Sequence, residues 1–285
     1  MTTDATHVFE QHRSLLTGLA YRVIGQVSDA EDVVQEAWLR WTGADHSTIA
    51  QPRAYLLQVV TRLAIDRLRR VAARRETYVG PWLPEPLLTE PDVADRAELI
   101  DSISIAMLVV LETLSPLERA VFVLHEAFGF SHPEIAVILQ RKEPAVRQLA
   151  RRAHDHVRAR RPRYDTDRVA HTEVTERFLT ACERGDLGAL LTVLAPDVVL
   201  IGDGGGIGRA PRRPIHGAGQ VARFLIGLNN TTIPDISTEI TSVNAGSGIV
   251  VRSGATPLAM FALDIADGLV RTIHAIANPD KLTRL

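Results

Sequence analysis

Arg147, Gln148, Arg151 and Arg152 recur at helical spacing in PAVRQLARRAHDHVRARR, residues 144–161. An arginine fork can bond two acceptors of one guanine, and a helix about 10–12 Å across fits the major groove of duplex DNA. In that helix Ala145, Val146, Leu149 and Ala153 fall on the opposite face, toward a core. An arginine-rich solvent face on an ordinary bundle helix would give the same pattern. What favours base reading is the preceding SHPEIAVILQ, residues 131–140, a short amphipathic helix with Ile135, Ala136 and Leu139 inward, followed by a tight turn.

The charge distribution points the same way. The formal net charge of the 285 residues is −2, yet residues 141–163 hold nine Lys/Arg against two acids, a net +7. Residues 62–75 hold six Arg against one Asp, a net +5, and residues 76–101 one Arg against seven acids, a net −6. Two basic segments thus flank an acidic one, as expected of a chain that meets a polyanion at two places.

Periodicity supplies the elements that must position these groups. Residues 7–25, 29–42 and 53–71 read as helices. Val33, Val34, Ala37, Trp38 and Trp41 make one stripe, and Leu56, Leu57, Val60, Leu63, Ala64 and Leu68 another. Ser28 is the expected N-cap of the second helix, with Asp29, Glu31 and Asp32 at the positive end of its dipole. Helices are further expected over 97–112 and, in three pieces, over 115–160. Ser115 with Glu118 and Ser131 with Glu134 have capping-box spacing.

Between the two helical parts, YVGPWLPEPLLTEP (78–91) is proline-rich yet apolar, so it must be extended and must lean on something. Past Pro162 the chain becomes rich in Gly, Thr, Val and Ile. Helices over 168–184, 186–194 and 217–228 accompany strands separated by GDGGG, NAGSG and ADG turns, an α+β domain with a curved antiparallel sheet. The expected domains are 1–72, a linker 73–100, 101–162 with the helix-turn-helix, and 163–285. A single cysteine, Cys182, excludes an internal disulfide and a cysteine-based zinc cluster. A polar N-terminus and the absence of a long apolar run point to a cytoplasmic protein with no membrane contact.

DAEDVVQEAWLRW (29–41), PRAYLLQVVTRLAIDRLRR (52–70) and LSPLERAVFVLHEAFGFSHPEIAVIL (114–139) resemble the conserved regions of sigma-70-family factors, most closely the small extracytoplasmic-function type. WLPEP (82–86), DGGG (203–206) and NPDKL (278–282) resemble the subgroup that carries a fused SnoaL-like (NTF2-like) domain. The resemblance implies a non-enzymatic specificity subunit of RNA polymerase, with core polymerase and promoter DNA as partners. Asp29, Glu31, Asp32, Gln35 and Glu36 match the segment that docks on core polymerase. Arg53, Arg62, Arg67, Arg69 and Arg70 lie on the minus-ten reader, although Arg62 with Asp66 could simply be an intrahelical pair. Arg147, Gln148, Arg151 and Arg152 match the minus-thirty-five reader, with Lys142 available to phosphate. The turn departs from the pattern: Gln140, Arg141 and Lys142 stand where the family has glycine, an apolar residue and a serine cap.

For the SnoaL-like domain the resemblance implies a pocketed cone, some of whose relatives use Asp/His acid–base pairs. Asp203, His216, Asp264 and His274 are the polar candidates here, without a recognisable catalytic pair. The glycines after Asp203 lack a phosphate-binding lysine, Ile207 standing in its place, and read better as a hairpin in close approach to another segment. Trp82, Leu83, Pro84 and Pro86 are expected to dock in extended form near Asp203, Gly204 and Gly205 and near Asn278, Pro279 and Asp280, as a latch that regulates in cis. No cofactor and no metal centre is expected. Two other readings stay open: a SnoaL-type binding protein or enzyme with a helical tether, and a helix-turn-helix repressor acting alone.

Overall fold

The computed structural model describes residues 2–75, 78–88, 103–160, 168–207, 209–229, 233–244 and 246–285. They form two compact units. The first is helical; the second combines residues 78–88 and 104–106 with the chain from Arg168 onward. The first part of the 97–112 helix and the acidic end of the linker lie outside the described residues.

In the helical unit, α1 (Thr2–Ile24), α2 (Val27–Thr42) and α3 (Pro52–Arg75) pack through the two apolar stripes read from the sequence. Val33, Val34, Ala37 and Trp41 of α2 and all six α3 positions are buried. Trp38 lies edge-to-face on Phe9 at 5.0 Å, and the Trp41 indole donates to the Ala5 carbonyl at 2.8 Å. Ser28 is not the cap of α2. Gly25 turns the chain at φ 82°, the helix begins at Val27 after Gln26, and Ser28 is left exposed in the first turn. Burial of Val27 decides this, since a helix started at Ser28 would leave that side chain outside the stripe.

Four further helices follow: α4 (Ile105–Leu111), α5 (Pro116–Phe122), α6 (His132–Leu139) and α7 (Glu143–Arg160). Val123–Ala127 forms a π-helical turn after α5. Both capping boxes form: Glu118 accepts from the Ser115 amide at 3.1 Å, and Glu134 from the Ser131 amide at 2.8 Å. On α7 the buried face is Val146, Leu149, Ala150, Ala153 and Val157; Ala145 and, on α6, Leu139 are only half-buried.

The second unit contains α8 (Arg168–Arg184), α9 (Leu187–Val193) and α10 (Ala218–Asn229) against six strands: β1 (Leu194–Asp203), β2 (Ile215–His216), β3 (Ile236–Val243), β4 (Gly246–Ser253), β5 (Thr256–Ala266) and β6 (Leu269–Ile276). The strand order is β2-β1-β6-β5-β4-β3. The sheet is mixed rather than wholly antiparallel. β1 runs parallel to β6, because α10 and three hairpin-linked strands intervene in the chain and bring β6 back alongside β1. Leu200, Ile249, Leu263, Ile265, Ile273 and Ala275 share a core with Val174, Phe178, Leu190, Val221 and Leu225 of the helices.

Gln140, at the family's glycine position, ends α6 in the left-handed region at φ 50°, ψ 51°. A side chain there costs about 1–2 kcal/mol that glycine avoids. Gln140→Gly should therefore stabilise the helical unit by about 1 kcal/mol in urea unfolding followed by far-UV circular dichroism. A loss of stability would mean that the turn is not held in this conformation.

Candidate nucleic-acid interface and buried linker site

On the helical unit, the acids and arginines anticipated as separate sites partly engage one another. Asp29 is buried and forms an ion pair with Arg67, whose Nε lies 3.0 Å from the carboxylate; Asp32 reaches the same guanidinium at 3.2 Å. The hydrogen bond to Asp29 raises the Arg67 pKa and keeps it charged. Arg69 pairs with Asp66 at 3.0 Å and the Arg70 Nε donates to the Asp66 carbonyl, so Asp66 serves these two rather than Arg62. Glu36 takes Arg40 at 2.7 Å. Glu31, Gln35, Arg53 and Arg62 are exposed, and the Arg53 guanidinium lies 5.4 Å from the Phe130 ring centre.

The outer face of α7 presents Gln148 and Arg151 to solvent, with Lys142 in the turn before it. Arg147 is also exposed but leans back on Glu143 at 2.5 Å, and Arg152 donates to Glu118 at 2.8 Å. Glu118 thus serves both the α5 capping box and α7. Buried Arg119 pairs with Glu112 and donates to the Arg22 carbonyl at 3.0 Å, while the Gln58 amide reaches the Val137 carbonyl at 3.4 Å. These bonds join α1 and α3 to α5 and α6 inside one unit. Arg119 carried no distinguishing signal in the sequence, being one more arginine in an amphipathic helix.

In the second unit the centre is a buried ion pair. Lys281 is 2% exposed and Asp203 fully buried, with Nζ 2.6 Å from the carboxylate. Asp203 also accepts from the Leu83 amide at 2.8 Å, the Tyr78 hydroxyl at 2.5 Å and the Gly205 amide at 3.2 Å. Lys281 completes the circuit by donating to the Leu83 carbonyl at 2.5 Å, and its ammonium sits 4.0 Å from the Trp82 ring centre. Burial, followed by the bond to Asp203, raises the Tyr78 pKa above the ordinary phenol value. Asn278 donates to the Tyr78 oxygen at 2.8 Å and caps the Asp280 amide at 3.1 Å. Leu83, Pro84 and Pro86 are buried; Pro279 and Asp280 are exposed.

The glycines are explained by this closeness. A Cβ on Gly205, at φ 60°, would lie 2.7 Å from the Asn278 side chain, and one on Gly206 would press on Val79. Buried Gly204 lies between Asp203 and this turn. Further along, Leu87 and Asn244 exchange bonds of 2.9 and 3.0 Å and Leu88 bridges Val243 beside the end of β3. Sequence reasoning found the segments but missed Tyr78, Asn244 and Lys281. The lysine of NPDKL was the available signal: a cation close behind the apolar end of β6, matching an aspartate with no basic residue within five positions.

A cavity of about 550 Å³ borders the NPDKL tail through Pro279 and Leu282 and is walled by Phe178, Phe224, Ile249 and Phe261. Its polar groups include Glu183, which accepts from Thr238 at 2.5 Å, and Cys182, whose thiol burial pushes up to about 12. None of Asp203, His216, Asp264 and His274 lines it. Asp264 and His274 face one another at 3.8 Å, both buried. Burial lifts the Asp264 carboxyl to about 7 and lowers the His274 imidazole to about 4, so both are held neutral between those values. His216 is exposed on β2.

A short helix, a turn and a basic helix, followed by a pocketed α+β domain, define a DNA-reading protein with an appended small-domain cone. Residues 8–75 match the model of sigma-70 region 2, residues 104–156 that of sigma-70 region 4, and residues 175–268 that of the SnoaL-like domain. The ECF RNA polymerase sigma factor SigJ of Mycobacterium tuberculosis (strain ATCC 25618 / H37Rv) is 41% identical over 288 residues, covering 96% of this chain and 92% of that protein. The probable ECF RNA polymerase sigma factor SigI of M. tuberculosis (strain CDC 1551 / Oshkosh) is 32% identical, covering 96% and 93%. The crystal structure of SigJ superimposes with a TM-score of 0.78 at 36% identity, covering 97% of this chain and 98% of that one. The chain belongs to the extracytoplasmic-function sigma factors of the sigma-70 family and carries a SnoaL-like domain.

Removing one partner of a buried pair strands the other, at a cost of about 3–5 kcal/mol. Lys281→Ala should destabilise the second unit by that order in urea and expose Tyr78 and Trp82 to limited chymotrypsin cleavage; unchanged protection would mean the ion pair does not hold the linker. Asp264 makes a second prediction. Its raised pKa means that stability present below its ordinary value near 3.8 is lost as pH rises through about 7. For His274 the sign reverses: stability present above 6.5 is lost as pH falls through about 4. Asp264→Asn should therefore melt higher than the parent at pH 8 and lose that advantage at pH 5, by a few kcal/mol at most.

Proposed function

We propose that this chain is a dissociable specificity subunit that binds core RNA polymerase and directs promoter-specific initiation. The observation that carries the reading is the exposed Gln148–Arg151 face of α7, set behind α6 and a three-residue turn, in a chain whose other helical half matches the family's polymerase-binding segment. Lys142, Arg147, Gln148, Arg151 and Arg152 would contact the minus-thirty-five element, Arg147 and Arg152 after leaving Glu143 and Glu118. Arg53, Arg62, Arg69 and Arg70 would hold minus-ten phosphates. Glu31, Gln35 and Glu36 would meet the polymerase, with Asp29, Asp32 and Arg67 bracing the helix that carries them. Capturing an unstacked base in the loop before α3 would offset the few kcal/mol of flipping it.

The SnoaL-like domain acts in cis and not as an enzyme. Docked residues 78–88 shorten the tether between the two DNA-reading halves, so holding or releasing them changes the promoters that can be spanned. The support is the set of bonds that Asp203 and Lys281 make to this segment. A second reading, a small-molecule-binding role for the domain, is favoured by the apolar cavity. In it the acid–base candidates stay structural, since none of them lines that cavity.

Run-off transcription with purified bacterial core polymerase, comparing the full chain, its 1–163 truncation and Trp82→Ala, tests the proposal. Specific initiation by the full chain is expected, with altered output from both variants, and DNA affinity should fall with salt at a log–log slope of about −0.9 per phosphate contacted. Initiation unaltered by Trp82→Ala would sink the latch alone. Absence of initiation together with absence of core binding would sink the sigma role and leave the ligand-binding reading.

A further inference from the structure

A cluster on the helical unit takes no part in the contacts above. The π-helical turn Val123–Ala127 carries His125 and Glu126, and α7 carries His154. The Glu126 Oε1 lies 3.1 Å from His154 Nε2 and 3.7 Å from His125 Nε2, and one ligand atom from each residue falls within 4.8 Å of the other two. Three donors around a zinc ion, at bonds of about 2.0–2.2 Å, stand roughly 3.4 Å apart. Small rotations of the exposed Glu126 and His154 side chains toward His125 would close the remaining gap.

Two features make this more than a chance meeting of surface groups. The His125 Nδ1 lies 2.8 Å from the Phe130 carbonyl. A carbonyl can only accept, so the ring carries a proton on Nδ1, and in the neutral imidazole the Nε2 lone pair is the one that faces Glu126 and His154. Metal-binding histidines are oriented by such outer bonds. The rings are also held in place: His132 stacks on His125 at 4.7 Å, and Phe122 lies edge-to-face on His154 at 5.5 Å. The π-helical turn adds to this, since such widened turns recur where a helix must present adjacent side chains to a ligand.

We propose that His125, Glu126 and His154 bind a divalent transition-metal ion of the zinc type, clamping the π-helical turn to the DNA-reading helix. Two imidazoles and one carboxylate suit zinc, cobalt or nickel rather than magnesium or calcium. The three ligands leave a fourth position for water or another donor. His154 follows Arg147 by seven residues and Arg151 by three, so the ion stands on the same side of α7 as two of the reading arginines. Its charge strengthens that side's hold on phosphate, and its bonds hold the helix at a fixed angle. The site stands independently of the sigma role, because metal binding is read without DNA or polymerase.

The test uses the full chain without an affinity tag, stripped by chelator and titrated with Zn2+ against a competing chromophore, and with Co2+ by visible absorption. One ion per chain is expected, with Co2+ bands of low coordination number. His154→Ala and Glu126→Gln should each weaken binding by at least about tenfold. His156→Ala, on the same helix, and His216→Ala, in the other unit, should leave it unchanged. Circular dichroism verifies that each variant is folded; Glu126→Gln, at an exposed position, preserves shape and size. Absence of stoichiometric binding overturns the proposal, as does binding that survives both ligand substitutions.

Discussion

A lysine ammonium and an aspartate carboxylate, both shut away from water, organise the second unit. Neither charge could be left there alone: stranding one costs several kcal/mol, and donors and acceptors of the linker are recruited to the pair. Asp203 gathers the Leu83 amide, the Tyr78 hydroxyl and the Gly205 amide; Lys281 gathers the Leu83 carbonyl and the Trp82 ring face. The need for satisfied polar groups explains three otherwise unrelated sequence features. The glycines let the backbone approach Asn278 and Val79, the prolines hold the passing segment extended, and the tail after β6 turns back to deliver the lysine.

The helical unit follows a different economy. Its charged side chains sit largely at the surface, where an ion pair contributes at most about 1 kcal/mol and is readily exchanged. Arg147 on Glu143 is such a pair, with both side chains open to solvent. Asp29 and Glu118 are buried exceptions, and so is Arg119. Buried, and bonded both to Glu112 and to the Arg22 carbonyl, it joins helices that come from opposite ends of the unit's sequence.

The helices were legible because period and capping are local. The stripes of α2 and α3 and both capping boxes could be read from neighbours within four residues. The start of α2 was misjudged because Gly25 and the burial of Val27 outweighed a good capping residue at Ser28. The parallel pairing of β1 with β6 was hidden for a topological reason, as strand patterns do not state which distant strand lies alongside. Of the candidate functional residues, the α7 face could be seen because one helix carries all of it but Lys142. Lys281 with Asp203, Asp29 with Arg67, and His125 with His154 meet only through the fold, and no spacing rule connects them.

The separation of Leu83 from Lys281 by 198 positions has a consequence in time. A ribosome adding roughly 5–20 residues per second needs about 10–40 s to travel that distance. Over that interval α1–α3 are already made and α4–α7 are added, while the linker has no lysine to receive it. A newly synthesised molecule therefore begins life unlatched. Under the proposed latch, age since synthesis becomes a variable in its own right.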